Sequence, residues 1–381
     1  MEDVDQGVAE GHRRLRVVAF GTFDQHQHPR VGVLIETLEN LGHAVLQCNE
    51  PLGISTEARV RVAREPWRAL PLVLQLASAW WKLVRQSRRI GRHAADVVLV
   101  GYLGVLDVHL ARICFRAPIV LDHMAPVAGI GKDRSLPFVP VLSVLDQLAE
   151  RQADVVIWDT TEQVSSAARN KSGTVVRVGA SGAWFEQKRR QKIPHSPVSI
   201  CFFGVYTPLQ GATIIARAIL LMRDRVDLRW TLIGKGQDRA GAETIVGSTE
   251  NVRWIDWLDE ADLRKTVADH DVCLGIFGNT PKAMRVVPNK VYQGAAAGCA
   301  VITSNTQPQR TALGDAGTFV TPADPAALAK AITTFADDRI LLSRMKEACR
   351  SRAEEHFSPQ ALGSEMQQVL DLAGRTRRSL A

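Results

Sequence analysis

One stretch, Asp271 to Asn305, carries the side chains best suited to hold an anion. An apolar run of strand length leads into a loop, and Pro288 is typical of the start of a short helix, which a second apolar run follows. Arg285 lies in the loop, and Lys290 and Gln293 are three residues apart, so they share one face of the predicted helix. An open parallel sheet presents a helix N-terminus to an anionic ligand in this way. The stretch therefore predicts a phosphate-binding site.

The surrounding sequence alternates apolar strands with helices, and the same unit opens two halves of the chain. Residues 16–20 form an apolar run that ends at Gly21, and residues 198–203 form another that ends at Gly204. Alternating strands and helices predict parallel sheets with helices on both faces. The sequence thus predicts an α/β fold of two Rossmann-like domains that face a cleft. It lacks the GxGxxG spacing of a dinucleotide site.

Several residues of the first half follow predicted strands, at the edge where parallel strands bind ligands. They are Gly101, Tyr102, Gly104, Asp107, Asp122 and His123. His123 directly follows a buried strand and is the candidate for a general acid or base, because imidazole titrates near neutral pH. A purely structural histidine explains the position equally well.

Neither the histidines nor the cysteines indicate a metal or redox site. His26 and His28 form an HxH pair, but no third ligand is evident, so a polar loop at the mouth of a cleft is the preferred interpretation. The six cysteines form no CxxC pair, and several lie inside apolar strands. This pattern indicates buried free thiols in a reducing compartment. We therefore expect no metal and no cofactor.

Residues 67–92 differ in character from the rest of the first half. Trp80 and Trp81 end an apolar part, and a basic part without any acid follows. Its cations are Lys82, Arg85, Arg88, Arg89 and Arg92. Such a helix can lie in a membrane interface and contact anionic lipids, although an apolar part of about 12 residues is too short to span a bilayer. The alternative is an ordinary amphipathic helix that packs on a sheet and has a solvated basic end.

The composition is that of a soluble globular protein. The chain of 381 residues is long enough for two domains, with 46% hydrophobic and 23% charged residues. A formal net charge of +7 favours an anionic partner, either phosphate or a membrane surface. We find no spanning segment, no apolar core of a signal peptide and no nucleic-acid-binding pattern. We expect a cytoplasmic protein, peripheral on the inner face of the membrane if residues 67–92 bind lipid.

Changes in composition predict the domain boundaries. Residues 1–15 form a flexible polar tail, and residues 16–190 form the first Rossmann-like domain. Glu186 to Pro197 is basic, contains proline and lacks periodicity, as expected of an interdomain linker. Residues 198–356 form the second domain, and residues 357–381 form a last helix and a basic tail.

The ordered motifs of the second half resemble the retaining glycosyltransferases of family 4, which have the GT-B fold. These motifs are GVYTPLQG, LIGKGQ, NVRWIDWL, LGIFG, VVPNKVYQGAAAGCAVITS and PADPAALAKAI. Each is weak alone, but their order and spacing are specific. The first half, with GTFDQHQHPRVGVLIETLENLGHAV and GYLGVLD, looks like a bacterial subgroup of that family. The resemblance implies metal-independent sugar transfer from a nucleotide-diphosphate sugar, and a last helix that crosses back to the first domain.

The resemblance also assigns residues to two ligands. The second domain would bind the donor through Gly204, Tyr206, Gln210, Gly211, Gly234, Lys235, Gly236, Arg285, Pro288, Asn289, Lys290, Val291 and Gln293. The first domain would bind the acceptor through Gly21, Thr22, Arg30, Gly101, Tyr102, Gly104, Asp107, Asp133 and Arg134, with Asp122 and His123 as the catalytic candidates.

Four positions depart from the pattern of the family. Arg285 and Gln293 stand where the family has two glutamates, the second of which binds the ribose. Val205 and Gln210 stand where it commonly has an arginine and a lysine. We expect Arg285 and Lys290 to replace the two missing cations, and the Gln293 amide to bond a ribose hydroxyl.

Three functions are compatible with these residues. The first is a retaining hexosyltransferase that serves polysaccharide or glycolipid biosynthesis, with a glycan, a lipid-linked molecule or another acceptor. The second, motivated by the departures from the family's pattern, is a non-catalytic GT-B protein that binds nucleotide or glycan or assists a partner enzyme. The third is a different GT-B reaction, such as epimerisation or phosphorolysis, but a phosphorylase would need a cofactor lysine in its own context, which we do not find.

Overall fold

The computed structural model describes residues 13–25, 28–53, 70–101, 104–124, 127–133, 138–159, 173–187 and 196–380. The chain divides into two compact units. Unit 1 comprises Met1–Val176 and Gly363–Ala381, and unit 2 comprises Arg177–Leu362. The chain therefore returns to unit 1 after it has completed unit 2. The division falls at Val176, before the predicted linker, of which residues 188–195 lie outside the described part of the chain.

Strands and helices alternate through most of the described chain, as predicted. The strands are β1 (Arg16–Gly21), β2 (Ala44–Asn49), β3 (Val97–Val100), β4 (Ile119–Asp122), β5 (Val155–Trp158), β6 (Gly173–Val175), β7 (Val198–Phe203), β8 (Leu228–Ile233), β9 (Val252–Ile255), β10 (Val272–Leu274), β11 (Ala300–Ser304) and β12 (Thr318–Val320). The helices are α1 (Pro29–Asn40), α2 (Leu70–Ile90), α3 (Asp107–Cys114), α4 (Val127–Asp133), α5 (Val139–Gln152), α6 (Gly182–Phe185), α7 (Ala212–Leu221), α8 (Arg239–Val246), α9 (Glu260–Ala268), α10 (Asn289–Ala296), α11 (Gln307–Leu313), α12 (Pro325–Asp337), α13 (Arg339–His356) and α14 (Gly363–Leu380).

Unit 1 contains a parallel sheet with the strand order β2-β1-β3-β4-β5-β6. The order reverses between β1 and β3, which marks the switch point at which such sheets bind ligands. On one face, α2, α3 and α5 pack through Leu83, Ala111 and Ala149. On the other face, α1 and α14 pack through residues such as Leu34 and Val369. Both faces of the sheet are covered, which explains why β3, β4 and β5 are buried along their whole length.

Unit 2 repeats this architecture with the strand order β12-β11-β10-β7-β8-β9. All of its paired strands are parallel, and the order reverses between β7 and β10. Its core contains Phe202, Tyr206 and Trp230 together with apolar side chains of α7 and α12. The α/β prediction with two Rossmann-like domains is confirmed, and the second switch point lies at the predicted anion-binding stretch.

Several helix ends follow from local side-chain chemistry. Asp324 accepts hydrogen bonds from the first backbone N–H groups of α12, as its position before Pro325 predicts. Gly298 follows α10 with a φ of +75°, a backbone conformation that other residues rarely adopt, so the predicted end of that helix is confirmed. These local contacts fix where the helices begin and end.

Two local predictions are wrong. Lys132 and Asp133 were assigned to a charged loop, but they form the last turn of α4. The strand predicted from Asp271 to Phe277 ends at Leu274. Beyond it, the Phe277 N–H donates to the Gln210 carbonyl at 3.1 Å, because the chain leaves the sheet here to contact the loop after β7.

The described helices give no candidate for a membrane crossing, since none is both long and apolar enough. The capping box predicted at residues 159–162 falls largely outside the described part of the chain, since only Asp159 is described.

We expect that a side chain at position 211 destabilises the protein, whereas a side chain at position 241 is tolerated. Gly211 has a φ of +71°, and a Cβ there would lie 2.7 Å from backbone atoms of Phe277 and Gly278. We predict that Gly211→Ala lowers the free energy of unfolding by about 2–5 kcal/mol, through backbone strain and overpacking. Gly241 lies in α8, and a Cβ there would have no atom within 4 Å, so Gly241→Ala should stabilise the protein by about 0.5–1 kcal/mol. Urea unfolding of both variants tests this, and equal effects would contradict it.

Candidate functional site

Three glycines shape the backbone at the carboxyl ends of β7 and β8. Gly204 and Gly234 directly follow these strands, and a Cβ at Gly234 would collide with the Gly204 carbonyl. A Cβ at Gly236 would collide with the backbone of Tyr206 in the same way. Because glycine has no Cβ, the two loops approach each other closely. They form one compact backbone surface beside the switch point of unit 2.

The amino group of Lys290 is buried directly below this surface. Lys290 is the second residue of α10 and is only 5% exposed. Its Nζ lies 3.7 Å from the centroid of the Phe202 ring and donates a hydrogen bond of 2.6 Å to Oε1 of Gln210. Within the described residues, this is the one hydrogen bond that the ammonium makes. An ammonium has three donors, so the arrangement leaves capacity for a ligand oxygen.

Burial makes Lys290 unusually easy to deprotonate. It lowers the pKa of Lys290 to about 7, because apolar surroundings disfavour the charged form. The unfolded chain keeps this proton up to about pH 10.4, so the folded state gains stability from this group as the pH rises from about 7 to about 10. An anion beside Nζ would have the opposite effect on the pKa and favour the ammonium.

The start of α10 has the predicted geometry. Pro288 is the N-cap residue with extended backbone, and Asn289 is the first helical residue. Val291 is fully buried on the side of the sheet, and Gln293 is half-buried one turn after the helix start. The N-terminus of the helix and the buried Lys290 ammonium thus belong to one element.

Lys290 contacts Gln210, whereas the described hydrogen bond of the Arg285 side chain stays within its own loop. Lys290 reaches the side chain of Gln210, the position at which the family commonly has a lysine. Arg285 is exposed, and its Nε donates to the Pro281 carbonyl at 3.1 Å within its own loop. Compensation for the two missing cations by Lys290 and Arg285 stays a prediction.

Two other predicted donor residues have structural contacts. The Tyr206 ring is buried and packs edge-on against Phe202, with ring centroids 5.2 Å apart, so only its backbone lies at the turn. The exposed Lys235 pairs with Asp256, with 3.1 Å between Nζ and Oδ2. These contacts do not bring the side chain of Tyr206 or Lys235 to Lys290.

Sequence reasoning missed Arg239, which supports the same turn. Its guanidinium donates to the Gly234 carbonyl, lies 4.5 Å from the centroid of the Trp254 ring and pairs with Glu243 at 2.7 Å. The i,i+4 spacing of Arg239 and Glu243 was the one available signal, but it is common on exposed helices. The contact of the guanidinium with the Gly234 carbonyl, five residues earlier in the preceding loop, could not be inferred from helical spacing.

In unit 1, Asp107 anchors the loop that follows β1. Its Oδ2 accepts hydrogen bonds from the N–H and the hydroxyl of Thr22 at 2.7 and 2.8 Å, and its Oδ1 accepts one from the Trp80 indole at 2.8 Å. A Cβ at Gly21 would lie 2.9 Å from Oδ2, so glycine makes room for the carboxylate. Burial raises the pKa of Asp107, and the three hydrogen bonds act against that shift. Asp107 is thus a structural anchor.

Arg30 and Asp122 form a buried ion pair behind the same sheet edge. The Arg30 Nε lies 2.8 Å from Asp122 Oδ1, and its second nitrogen donates to the Val176 carbonyl at 2.9 Å. Both side chains are almost completely inaccessible to solvent. One carboxylate oxygen of Asp122 is thus engaged by an internal cation, and the roles of Asp122 as a catalytic candidate and of Arg30 as an acceptor contact stay predictions.

His123 lies between two carboxylates and does not have the environment of a general base. Its Nε2 lies 3.2 Å from Asp146, its Nδ1 lies 3.4 Å from Glu150, and the side chain is 2% exposed. Burial lowers the pKa of His123, but the two carboxylates outweigh it and raise the pKa to about 9. At neutral pH the ring is an imidazolium without a free lone pair. The structure therefore favours the structural interpretation of His123.

The remaining candidates of unit 1 contribute packing or are not described. A Cβ at Gly101 would lie 2.8 Å from the Phe23 ring, and a Cβ at Gly104 would collide with the Val100 side chain. These two glycines thus permit close packing. Tyr102, Arg134 and the side chain of Asp133 lie outside the described residues.

The described ranges contain no group of three or more His, Cys, Asp or Glu side chains that could hold a metal ion. His26 of the HxH pair lies outside those ranges. All six cysteines are buried free thiols, as predicted.

Comparison with known proteins identifies the second unit. The family model described as "Glycosyl transferases group 1" matches residues 197–338, which confirms the predicted glycosyltransferase domain in unit 2. No curated protein matches the sequence.

Solved structures match almost the whole chain. Sucrose-phosphate synthase from Thermosynechococcus elongatus has 14% identity and a TM-score of 0.69, and the match covers 97% of this chain and 100% of that one. HepE from Anabaena, solved in complex with UDP-glucose, has 14% identity and a TM-score of 0.66, with coverage of 94% and 100%. A UDP-forming trehalose-phosphate synthase from Burkholderia xenovorans has 11% identity and a TM-score of 0.56, with coverage of 78% and 79%. The chain therefore has the GT-B fold of these structures, and residues 197–338 of its second unit match the glycosyl transferases group 1 model.

Proposed function

We propose that the protein is a retaining, metal-independent glycosyltransferase that takes a sugar from a nucleotide-diphosphate sugar. The observation that carries this proposal is the buried ammonium of Lys290, held by Gln210 at the switch point of a glycosyltransferase domain. A buried, only partly hydrogen-bonded cation is costly unless an anion can approach it. Phosphate is the anion for which an adjoining helix N-terminus is suited.

A cation near the leaving diphosphate assists sugar transfer. When the bond between the sugar and the diphosphate of the donor breaks, the nucleoside diphosphate leaves with increasing negative charge. A fixed ammonium and the N-terminus of α10 would stabilise that charge as it develops, in surroundings that exclude water. Lys290 would thus supply positive charge that a metal ion provides in other phosphate sites.

A path to the ammonium exists at Gly204. A Cβ at this position would lie 3.2 Å from Lys290 Nζ, and Gly204 itself is partly exposed. Because glycine places only a hydrogen there, a phosphate oxygen can approach Nζ over the backbone. We propose that Gln293 bonds the ribose and that Arg285 turns from its loop carbonyl toward the diphosphate when the donor binds.

UDP is the appropriate first probe of the donor base. HepE of Anabaena, which shares the fold, was solved with UDP and with UDP-glucose. The family 4 mechanism and a hexose as the transferred sugar remain part of the proposal.

The acceptor is proposed to bind unit 1. Asp107, Asp122 and His123 are engaged in internal contacts, so we assign no catalytic base among them. A glycan or a lipid-linked molecule fits the proposal, and a lipid-linked acceptor would place a cytoplasmic enzyme at the inner face of a membrane.

One observation favours a second candidate, a non-catalytic nucleotide-binding protein. Arg285 and Gln293 stand where the family has carboxylates, and neither has a described contact with Lys290. Release of UDP from UDP-sugars in the presence of an acceptor panel supports catalysis. Tight UDP binding without any turnover supports the second candidate.

Removing the Lys290 charge should abolish tight donor binding without unfolding the protein. We predict that Lys290→Met raises the Kd for UDP about 10- to 100-fold, because a charge-assisted hydrogen bond is lost. Isothermal titration calorimetry measures this, and Lys330→Ala, which removes an exposed lysine of α12, is the matched control. Met fills the buried space, so the unfolding midpoint should not fall. A Kd within twofold of the unaltered protein would refute the role of Lys290.

Donor affinity should weaken as the pH rises through the pKa of Lys290. The free protein holds a largely neutral Lys290 above pH 7, and binding an anion requires protonation first. We predict that the Kd for UDP-glucose rises about tenfold or more between pH 6.5 and pH 8.5. The diphosphate diester does not titrate in this range, and Lys290→Met should show a flat profile. An equally flat profile in the unaltered protein would contradict the prediction.

A further inference from the structure

The helices α2, α3 and α5 form one layer on unit 1. Their inner faces contribute Leu83, Ala111 and Ala149 to the same hydrophobic core, and α3 contacts both of its neighbours. Three helices that lie side by side on one face of a sheet present their outer sides as one surface. We call this surface the outer helical face.

On α2, exposed apolar residues form a stripe along the first three turns, beside the exposed Gln75 and Ser78. The exposed apolar residues are Leu70, Val73, Leu74 and Trp81, and their spacing of three, four and seven places them along one stripe. Trp81 is 64% exposed, while its neighbour Trp80 is used internally to hold Asp107. Only one of the two tryptophans therefore serves the fold.

The stripe on α2 is not alone on this face. Val141, Val144 and Leu148 of α5 follow helical spacing and are 60%, 52% and 38% exposed. Ile113 of α3, between these two helices, is 68% exposed. Single exposed apolar residues are ordinary, but several on one layer indicate a surface that something covers.

The charges on the outer helical face have one sign. The exposed charged side chains of these three helices, among the residues described, are Lys82, Arg85, Arg88, Arg89 and Arg151, of which Lys82 pairs with Glu50 after β2 at 3.3 Å. The acids of the same helices point inward: Asp107 holds Thr22, and Asp146 and Glu150 hold His123. A face of mixed signs would suit a protein partner, whereas an apolar face with basic charges only is complementary to anionic lipid.

On α2 and α5, the exposed apolar residues and the cations lie at different positions along the helix axis. Each of the three helices precedes a strand of the parallel sheet, so each runs from the carboxyl edge of the sheet to its amino edge. On α2 and α5 the exposed apolar residues therefore lie nearer the carboxyl edge than the cations that follow them, whereas Ile113, near the end of α3, lies toward the amino edge. Trp81 and Arg88 are seven positions apart, which is about 10 Å along the helix axis.

Trp81 marks the border between the two zones. The Arg85 guanidinium lies over the Trp81 ring, 5.7 Å from its centroid. Tryptophan favours the level of lipid headgroups, where an arginine can contact phosphate while its stem lies on apolar surface.

We propose that unit 1 binds an anionic membrane surface through the outer helical face. The apolar zone of α2 and α5 enters the interface, and the basic zone contacts lipid phosphates. This orientation turns the carboxyl edge of the unit 1 sheet toward the bilayer. The membrane contact does not depend on sugar transfer; only its corollary, a lipid-linked acceptor, rests on the proposed function.

Vesicle flotation of the full chain tests the proposal. We expect binding to phosphatidylcholine vesicles that contain about one third phosphatidylglycerol, and much weaker binding to pure phosphatidylcholine. Each cation near an anionic surface contributes about fivefold, so Arg85→Gln/Arg88→Gln/Arg89→Gln should weaken binding about 100-fold. Trp81→Ala and Val144→Asp should each weaken it at least fivefold, the second because α5 belongs to the same face.

Matched controls in unit 2 separate this surface from general effects. Arg223→Gln/Arg253→Gln/Arg344→Gln, Trp257→Ala and Val226→Asp alter exposed residues of the same types and should leave flotation unchanged. No flotation, equal flotation on both vesicle types, or loss in the controls would overturn the proposal. So would a dimer in analytical ultracentrifugation that Trp81→Ala dissociates, with no lipid binding. The variants of the outer helical face should bind UDP with an unchanged Kd in calorimetry. This measurement distinguishes a loss of membrane binding from a loss of donor binding.

Discussion

The contact between the Lys290 ammonium and Gln210 is the constraint on which the candidate site depends. It places a cation at the carboxyl end of β7, where the strand order of unit 2 reverses. Burial against Phe202 makes the charged form costly and lowers the pKa of Lys290 to about 7. The glycine turns above it leave room for an approaching group. The buried ammonium of Lys290 is costly in the free protein, and an anion beside it would stabilise it. Such a cation is suited to binding a leaving group that gains negative charge during a reaction.

The polar groups at the carboxyl edges of the two sheets differ in how they are paired. In unit 2, a cation lies below a backbone surface and has unused hydrogen-bonding capacity. In unit 1, the polar groups at the equivalent edge are paired internally: Asp107 with Thr22, Arg30 with Asp122, and His123 with two carboxylates. These pairs hold the loops after β1 and β4.

The sequence was sufficient for the fold and for the limits of α10, because both depend on local patterns. Strand and glycine spacing predicted the two sheets, and Pro288 and Gly298 predicted the limits of α10. The role of His123 could not be predicted, since its partners lie 23 and 27 residues away on α5, and only the packed structure brings them to the ring. Helical periodicity likewise could not show which of Trp80 and Trp81 faces the core, because adjacent tryptophans satisfy the same pattern.

The most direct test is the ionisation of Lys290 itself. Carbon-13 NMR of the lysine Cε resonance, assigned with the Lys290→Met variant, reports this pKa with and without UDP. The account predicts a value near 7 in the free protein and a value at least two units higher, above about 9, in the complex, because bound diphosphate favours the ammonium. A Lys290 pKa near its ordinary value of about 10.4 in the free protein, or one that UDP does not change, would contradict the account.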